Sequence, residues 1–114
     1  MSWRELSLRL AKRRAEAHKN IEKYLRKIAE AAKRLDKDAE VYLFGSVAEG
    51  KSLPSSDIDV LIITRRKPGE VLAALWEEGI GDPFEIHVAT PEELEIYNRR
   101  AKLVKIDAAD KQGL

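Results

Sequence analysis

Two carboxylates, Asp57 and Asp59, stand one residue apart where a polar loop gives way to the apolar run Ile58 to Ile63. On a strand, residues i and i+2 point to the same face, so this spacing projects both acids together. Two like charges that close are costly unless a cation joins them. The economical cation is Mg²⁺, which takes oxygen ligands from one or two carboxylates and completes its shell with phosphate oxygens. Earlier in the chain, Gly45-Ser46 closes another apolar run, Val41 to Phe44. A glycine lets a phosphate approach the backbone, and a helix starting there offers unpaired N–H groups and a positive dipole end, with Ser46 as its N-cap. Gly50 then supplies a positive φ or clears the loop around such a ligand, and Ser56 immediately precedes the first acid.

The elements that must hold these residues are legible from periodicity. Val41–Phe44 and Ile58–Ile63 read as buried strands, rich in β-branched and aromatic residues and flanked by turn residues. Residues 2 to 35 contain no Gly or Pro and repeat apolar residues at Leu6, Leu10, Ala17, Ile21, Leu25, Ile28, Ala32 and Leu35. That pattern predicts one long helix, capped by Ser2 with Glu5 completing a capping box. Such a helix outruns a small sheet, so its first turns, with Trp3 and Leu6, are expected to meet a partner or a second copy. In the competing reading the helix breaks near Arg13-Arg14 and folds back on the chain's own C-terminal helix.

Further on, Pro68 suits the first position of a helix over roughly 69–78, with Val71, Leu72, Leu75 and Trp76 inward and Gly79 and Gly81 stopping it. Phe84 to Ala89 alternates as a third strand. Thr90-Pro91 opens a helix to about Arg100 with Leu94 and Tyr97 inward, and Leu103 to Ile106 forms a last short strand or extends that helix. The end, residues 107–114, reads as frayed. Strands alternating with helices give an α/β (α+β) class with a small mixed sheet flanked by helices.

The stretch from Val41 to Val88 resembles the signature of the DNA polymerase β-like nucleotidyltransferase superfamily. Gly45, Ser46, Gly50, Ser56, Asp57 and Asp59 match its Gly-Ser turn, following Gly and Asp-x-Asp in type and spacing. The resemblance implies that the turn grips the phosphates of a nucleoside triphosphate, ATP by preference, and that the acids hold Mg²⁺. It further implies transfer of a nucleoside monophosphate to an acceptor hydroxyl with release of pyrophosphate.

Two-metal phosphoryl transfer usually enlists a third carboxylate from a neighbouring strand. Glu85 fills that place, where the family usually has Asp. By resemblance it binds the catalytic metal and helps deprotonate the acceptor. Asp82, before Pro83, is a weaker candidate. His87 shares the face of Glu85 and either orients it or is an ordinary strand histidine. Lys51, Arg65 and Arg66 are loop cations within reach of phosphate or nucleic acid in principle, although such residues usually do nothing specific.

The short chain is similar to minimal prokaryotic nucleotidyltransferases, which are often paired with an all-helical HEPN-type protein. In that branch the acceptor can be a partner's side chain. The alternative function is an antitoxin-like binding module that neutralises such a helical partner with little or no catalysis. The intact acid pair favours the enzyme.

At 114 residues, 44% hydrophobic and 36% charged, the chain suits one domain (1–114) with one core and a heavily charged surface. It has no Cys, hence no disulfide and no thiolate metal site. Residues 1–35 hold 11 Lys+Arg against 4 Asp+Glu, a net of +7, and the rest 10 against 16, a net of −6. A basic arm on an acidic body suits an acidic partner or nucleic acid, though a solvated helix face is the plainer reading. No apolar run approaches the roughly 18 residues of a membrane span, and the N-terminus is not a signal peptide, so a cytoplasmic place without membrane is the expectation.

Overall fold

The computed structural model describes residues 1–108. Helix α1 spans Trp3–Lys19 and α2 spans Ile21–Leu35. The capping box forms as the sequence predicts: Glu5 N–H donates to Ser2 Oγ at 3.2 Å, and the Glu5 carboxylate accepts from Ser2 N–H at 3.4 Å.

The single long helix does not form. It breaks at Asn20, which ends α1 and begins α2 with φ −110° and ψ 31°. Asn20 donates its side-chain amide back to Glu16 O at 3.1 Å and its own N–H to the same carbonyl at 2.9 Å. An asparagine that can satisfy the backbone with its own side chain supports an interruption that neither Gly nor Pro announces. The break lies beyond Arg13-Arg14.

The apolar stripe divides accordingly. Leu25, Ile28, Ala29 and Ala32 of α2 are buried, whereas Ala17 is the only buried residue of α1. Trp3 is 83% exposed, and Leu6 and Leu10 are about 40% exposed.

Four strands follow: β1 (Glu40–Phe44), β2 (Ile58–Ile63), β3 (Phe84–Ala89) and β4 (Val104–Ile106). Their order in the sheet is β3-β2-β1-β4. β1 runs antiparallel to β2 and β4, and β2 runs parallel to β3, so the sheet is mixed. The parallel pair is joined through α4 (Pro68–Glu77).

One sheet face packs Val41, Leu43, Ile58, Val60 and Ile62 against α2 and α4. The other packs Leu61, Ile63 and Ala89 beneath Leu94 and Tyr97 of α5 (Pro91–Arg100). From Val60 to Ile63, β2 is covered on both sides, so that part of its sequence reads as a continuous apolar run rather than an alternating one. In α4 only Val71 and Leu75 turn inward; Leu72 is 47% and Trp76 75% exposed. The inward stripe of this ten-residue helix is one i, i+4 pair wide, so its neighbours face water.

The end of β2 is tied to the end of α2. Thr64, buried, donates to the Asp36 carboxylate and accepts from Arg66 N–H at 3.1 Å. The Thr64 hydroxyl, with the Asp38 N–H, holds the Asp36 carboxyl below its ordinary pKa. Of the tail predicted to fray, residues 109–114 lie outside the described residues. Among those described, no helix is long and apolar enough to cross a membrane.

Candidate active site

Antiparallel and parallel pairing bring Gly45, Asp59 and Glu85 to one place from opposite directions. Asp59 is the second residue of β2 and lies in register with Phe44 of β1 on one side and Glu85 of β3 on the other. The residue after Phe44 is Gly45, so the Gly-Ser turn and the acid meet by register alone.

Gly45 has φ +75°, and a Cβ built on it falls 2.3 Å from Asp59 Oδ2. The carboxylate thus sits in the space a side chain would fill, and only glycine suits both the backbone and the contact. Gly50 also has a positive φ, +72°, but nothing within 4 Å of a built Cβ.

Asp59, Glu85 and His87 offer ligand atoms that all lie within 4.8 Å of one another. His87 Nε2 stands 3.4 Å from Asp59 Oδ1 and 3.5 Å from Glu85 Oε1. The imidazole is held from behind by Phe44, whose ring meets it edge-on at 4.9 Å, and Phe44 in turn packs against Tyr97 at 6.0 Å. Two carboxylates and an imidazole converging on one point form a donor set for a divalent cation. Ligands in adjacent positions around such an ion are about 3 Å apart, close to the distances His87 already keeps. The residues present therefore fit a metal. His87, weighed in the sequence as an orienting or ordinary strand histidine, belongs to the group.

Asp57 does not join that group. It lies just outside β2, half-exposed, with Oδ1 3.4 Å from Arg14 Nη1. The like-charge cost inferred from the Asp-x-Asp spacing is met here by a guanidinium as well as by any metal. Arg14 also donates from Nε and Nη2 to the two oxygens of Asp82, at 3.1 and 2.7 Å, and from Nη1 to the Ser55 carbonyl at 2.7 Å. These carboxylates, Asp82 first, raise the pKa of the Arg14 guanidinium. Asp82, the weaker candidate for the third acid, is thus occupied by Arg14, while Glu85 faces the cluster.

One turn along α1, His18 Nε2 lies 2.7 Å from the Ser56 carbonyl. Sequence reading gives neither Arg14 nor His18 a place at the site. The signal available was their i, i+4 spacing, which puts both on one face of α1. Ser56 shapes the loop: its Oγ accepts from Leu53 N–H at 2.8 Å and its N–H donates to Leu53 O at 2.9 Å.

Ser46 is the second residue of the short helix α3 (Gly45–Ala48), not its N-cap. Phe44 occupies the cap position and makes no side-chain capping bond. The loop cations lie apart from the cluster. Arg65 and Arg66 follow the far end of β2 and pair with Glu92 and Glu70, and Lys51 pairs with Glu49 at 3.6 Å. The exposed Arg65–Glu92 pair raises the arginine pKa and lowers the glutamate's, a local surface effect.

Against known proteins, residues 25–111 match the model of the nucleotidyltransferase domain family. The fold is similar to a crystal structure provisionally identified as a nucleotidyltransferase, with TM-score 0.58, 35% identity, and coverage of 71% of this chain and 95% of that one. A provisionally identified nucleotidyltransferase from Sulfolobus solfataricus shares the fold at TM-score 0.56 and 24% identity, covering 84% of this chain and 85% of that one. No curated protein matches the chain. With most of its length matched by one family model, the chain belongs to the nucleotidyltransferase domain family.

Proposed function

We propose that this protein transfers a nucleoside monophosphate, AMP from ATP by preference, to an acceptor hydroxyl and releases pyrophosphate. The observation that carries this reading is the convergence of Asp59, Glu85 and His87 beside the glycine that touches Asp59. Asp59, Glu85 and His87 would hold a divalent ion, Mg²⁺ or a similar cation, with Asp57 as a further ligand. When bound, that ion supplies charge neutralisation between two anionic reactants.

The chain's own residues do the rest. The Gly45-Ser46 turn receives the triphosphate, with the Ser46 hydroxyl and the first N–H groups of α3 as donors and Gly50 keeping the following loop clear. Glu85, more than half exposed, takes the acceptor's proton at its carboxylate in this proposal. Phe44 and Tyr97 fix the imidazole plane so that Nε2 stays directed at both acids.

Calorimetric titration with Mg-ATP tests the reading. Wild type should bind, Asp59→Asn should not, and Glu85→Gln should bind yet fail to release pyrophosphate with any acceptor that supports turnover. Equal Mg-ATP binding by wild type and Asp59→Asn overturns it.

A second function, partner binding, is favoured by α1. Its first turns carry exposed Trp3, Leu6 and Leu10 among Arg4, Arg9, Lys12 and Arg13. A helical HEPN-type protein with an acidic surface, or a second copy, is the proposed occupant, and it also offers a source of the acceptor hydroxyl. Nucleic acid is not required. Sedimentation of wild type against Trp3→Glu/Leu6→Glu, alone and with a candidate helical partner, tests it. Unchanged association after both substitutions overturns it.

A further inference from the structure

Arg14 is anchored too specifically to be a surface cation. It spends three donors on Asp82 and the Ser55 carbonyl, and the same Nη1 that holds Ser55 stands 3.4 Å from Asp57. Its side chain is 30% exposed, against 61–77% for Arg34, Lys51, Arg65 and Arg99 in their ion pairs. It reaches the carboxylate next to the metal group from a helix that otherwise buries only Ala17.

We infer that Arg14 is a residue of the active site: a fixed positive charge, delivered by α1, that competes with a divalent cation for Asp57 and attracts the triphosphate. The inference rests on the functional reading above and extends it to a residue outside the Gly-Ser and Asp-x-Asp stretch.

The competition is electrostatic. A guanidinium and a divalent ion at one carboxylate repel each other, so each weakens the other's hold. A triphosphate is strongly anionic, and a guanidinium with planar, forked donors suits phosphate oxygens as well as it suits carboxylates. Asp82 keeps the guanidinium in place through Nε and Nη2, which leaves Nη1 as the arm facing Asp57 and any phosphate beside it. Loss of the charge must therefore move the two ligands in opposite directions. A role limited to stapling α1 onto the 51–57 loop has the other signature, because a loosened loop weakens both ligands together.

The test uses the full chain, with Mn²⁺ alone as one probe and inorganic triphosphate without metal as the other, each followed by calorimetry, and with thermal melts of every variant. Arg14→Gln should tighten Mn²⁺ and weaken triphosphate, each by roughly three- to ten-fold, the scale of one partly exposed charge at contact range. Arg14→Lys keeps the charge and loses the fork, so it should stay within about two-fold of wild type for both probes. Weakening of both ligands by Arg14→Gln, or no change in either, overturns the inference while leaving the functional reading intact. A wild-type protein that binds neither probe overturns the functional reading, and this inference with it.

Discussion

Replacement of Gly45 by alanine separates two reasons for a glycine, because Gly50 provides the matched control. Both have nearly the same positive φ, +75° and +72°, so alanine at either position carries the left-handed backbone cost of about 1 kcal/mol. At Gly50 the new methyl meets nothing within 4 Å. At Gly45 it meets Asp59 Oδ2 at 2.3 Å, with Cγ and Cβ of the same residue at 3.1 and 3.2 Å. Bringing the oxygen to ordinary contact needs a displacement of roughly 1 Å, which turns the Asp59 side chain away from its rotamer at a further cost of about 1 kcal/mol. One kcal/mol shifts the melting temperature of a domain this size by about 4–8 °C. Gly50→Ala should therefore melt about 4–8 °C below wild type, and Gly45→Ala about twice as far below. A Mn²⁺ titration should show unchanged affinity for Gly50→Ala and at least a roughly ten-fold loss for Gly45→Ala, since a displaced ligand costs more than one factor of ten in affinity, or about 1.4 kcal/mol. Equal melting shifts and equal Mn²⁺ affinities in the two variants would refute the assignment of Gly45 to the carboxylate contact.

Three further outcomes are expected. Ser46→Ala should weaken binding of inorganic triphosphate while shifting the melting temperature by no more than a degree or two, because Ser46 caps no helix; a large melting shift with unchanged binding reverses the assignment. His87→Asn should lower the ratio of Mn²⁺ to Mg²⁺ affinity in paired titrations, since imidazole suits transition metals and Mg²⁺ prefers oxygen; an unchanged ratio removes His87 from the donor set. Asp36 has a lowered pKa in the folded chain, so its contribution to stability is full above its unfolded value near 3.8 and fades as pH falls through the folded value. In melts between pH 6 and pH 2, Thr64→Val should lose less stability on acidification than wild type, and parallel curves would sink the linkage.

The sequence carried the strands and the Gly-Ser and Asp-x-Asp motifs because each depends on local pattern. β2 is apolar apart from Asp59, α5 opens on Thr90-Pro91, and β3 alternates. What it did not carry depends on contacts between distant segments. The break at Asn20 has no Gly or Pro to mark it, and follows from where α2 finds sheet to cover and α1 does not. The candidate metal group includes His87 because parallel pairing sets β3 beside β2 in a particular register. Asp57 is drawn aside by an arginine 43 positions earlier in the chain, a pairing no spacing rule contains. The inward assignment of Leu72 and Trp76 failed for a related reason: a short helix on a four-stranded sheet buries a narrower stripe than its composition suggests.

The strand order has a consequence for what can reach the cluster. Asp59 sits on an interior strand, paired on both sides, whereas Glu85 and His87 sit on an edge strand. Among the described residues no strand pairs with the outer side of β3. Exposed edges are usually protected by charge or by short length, and here Glu85 places a half-exposed charge on one. Asp59 is thus held by sheet pairing on both sides, whereas Glu85 and His87 lie on a strand paired on one side alone among the described residues. Under the proposed function, no further strand among the described residues limits the acceptor's size on that flank, so that proposal admits a folded macromolecule as well as a small alcohol as the source of the hydroxyl.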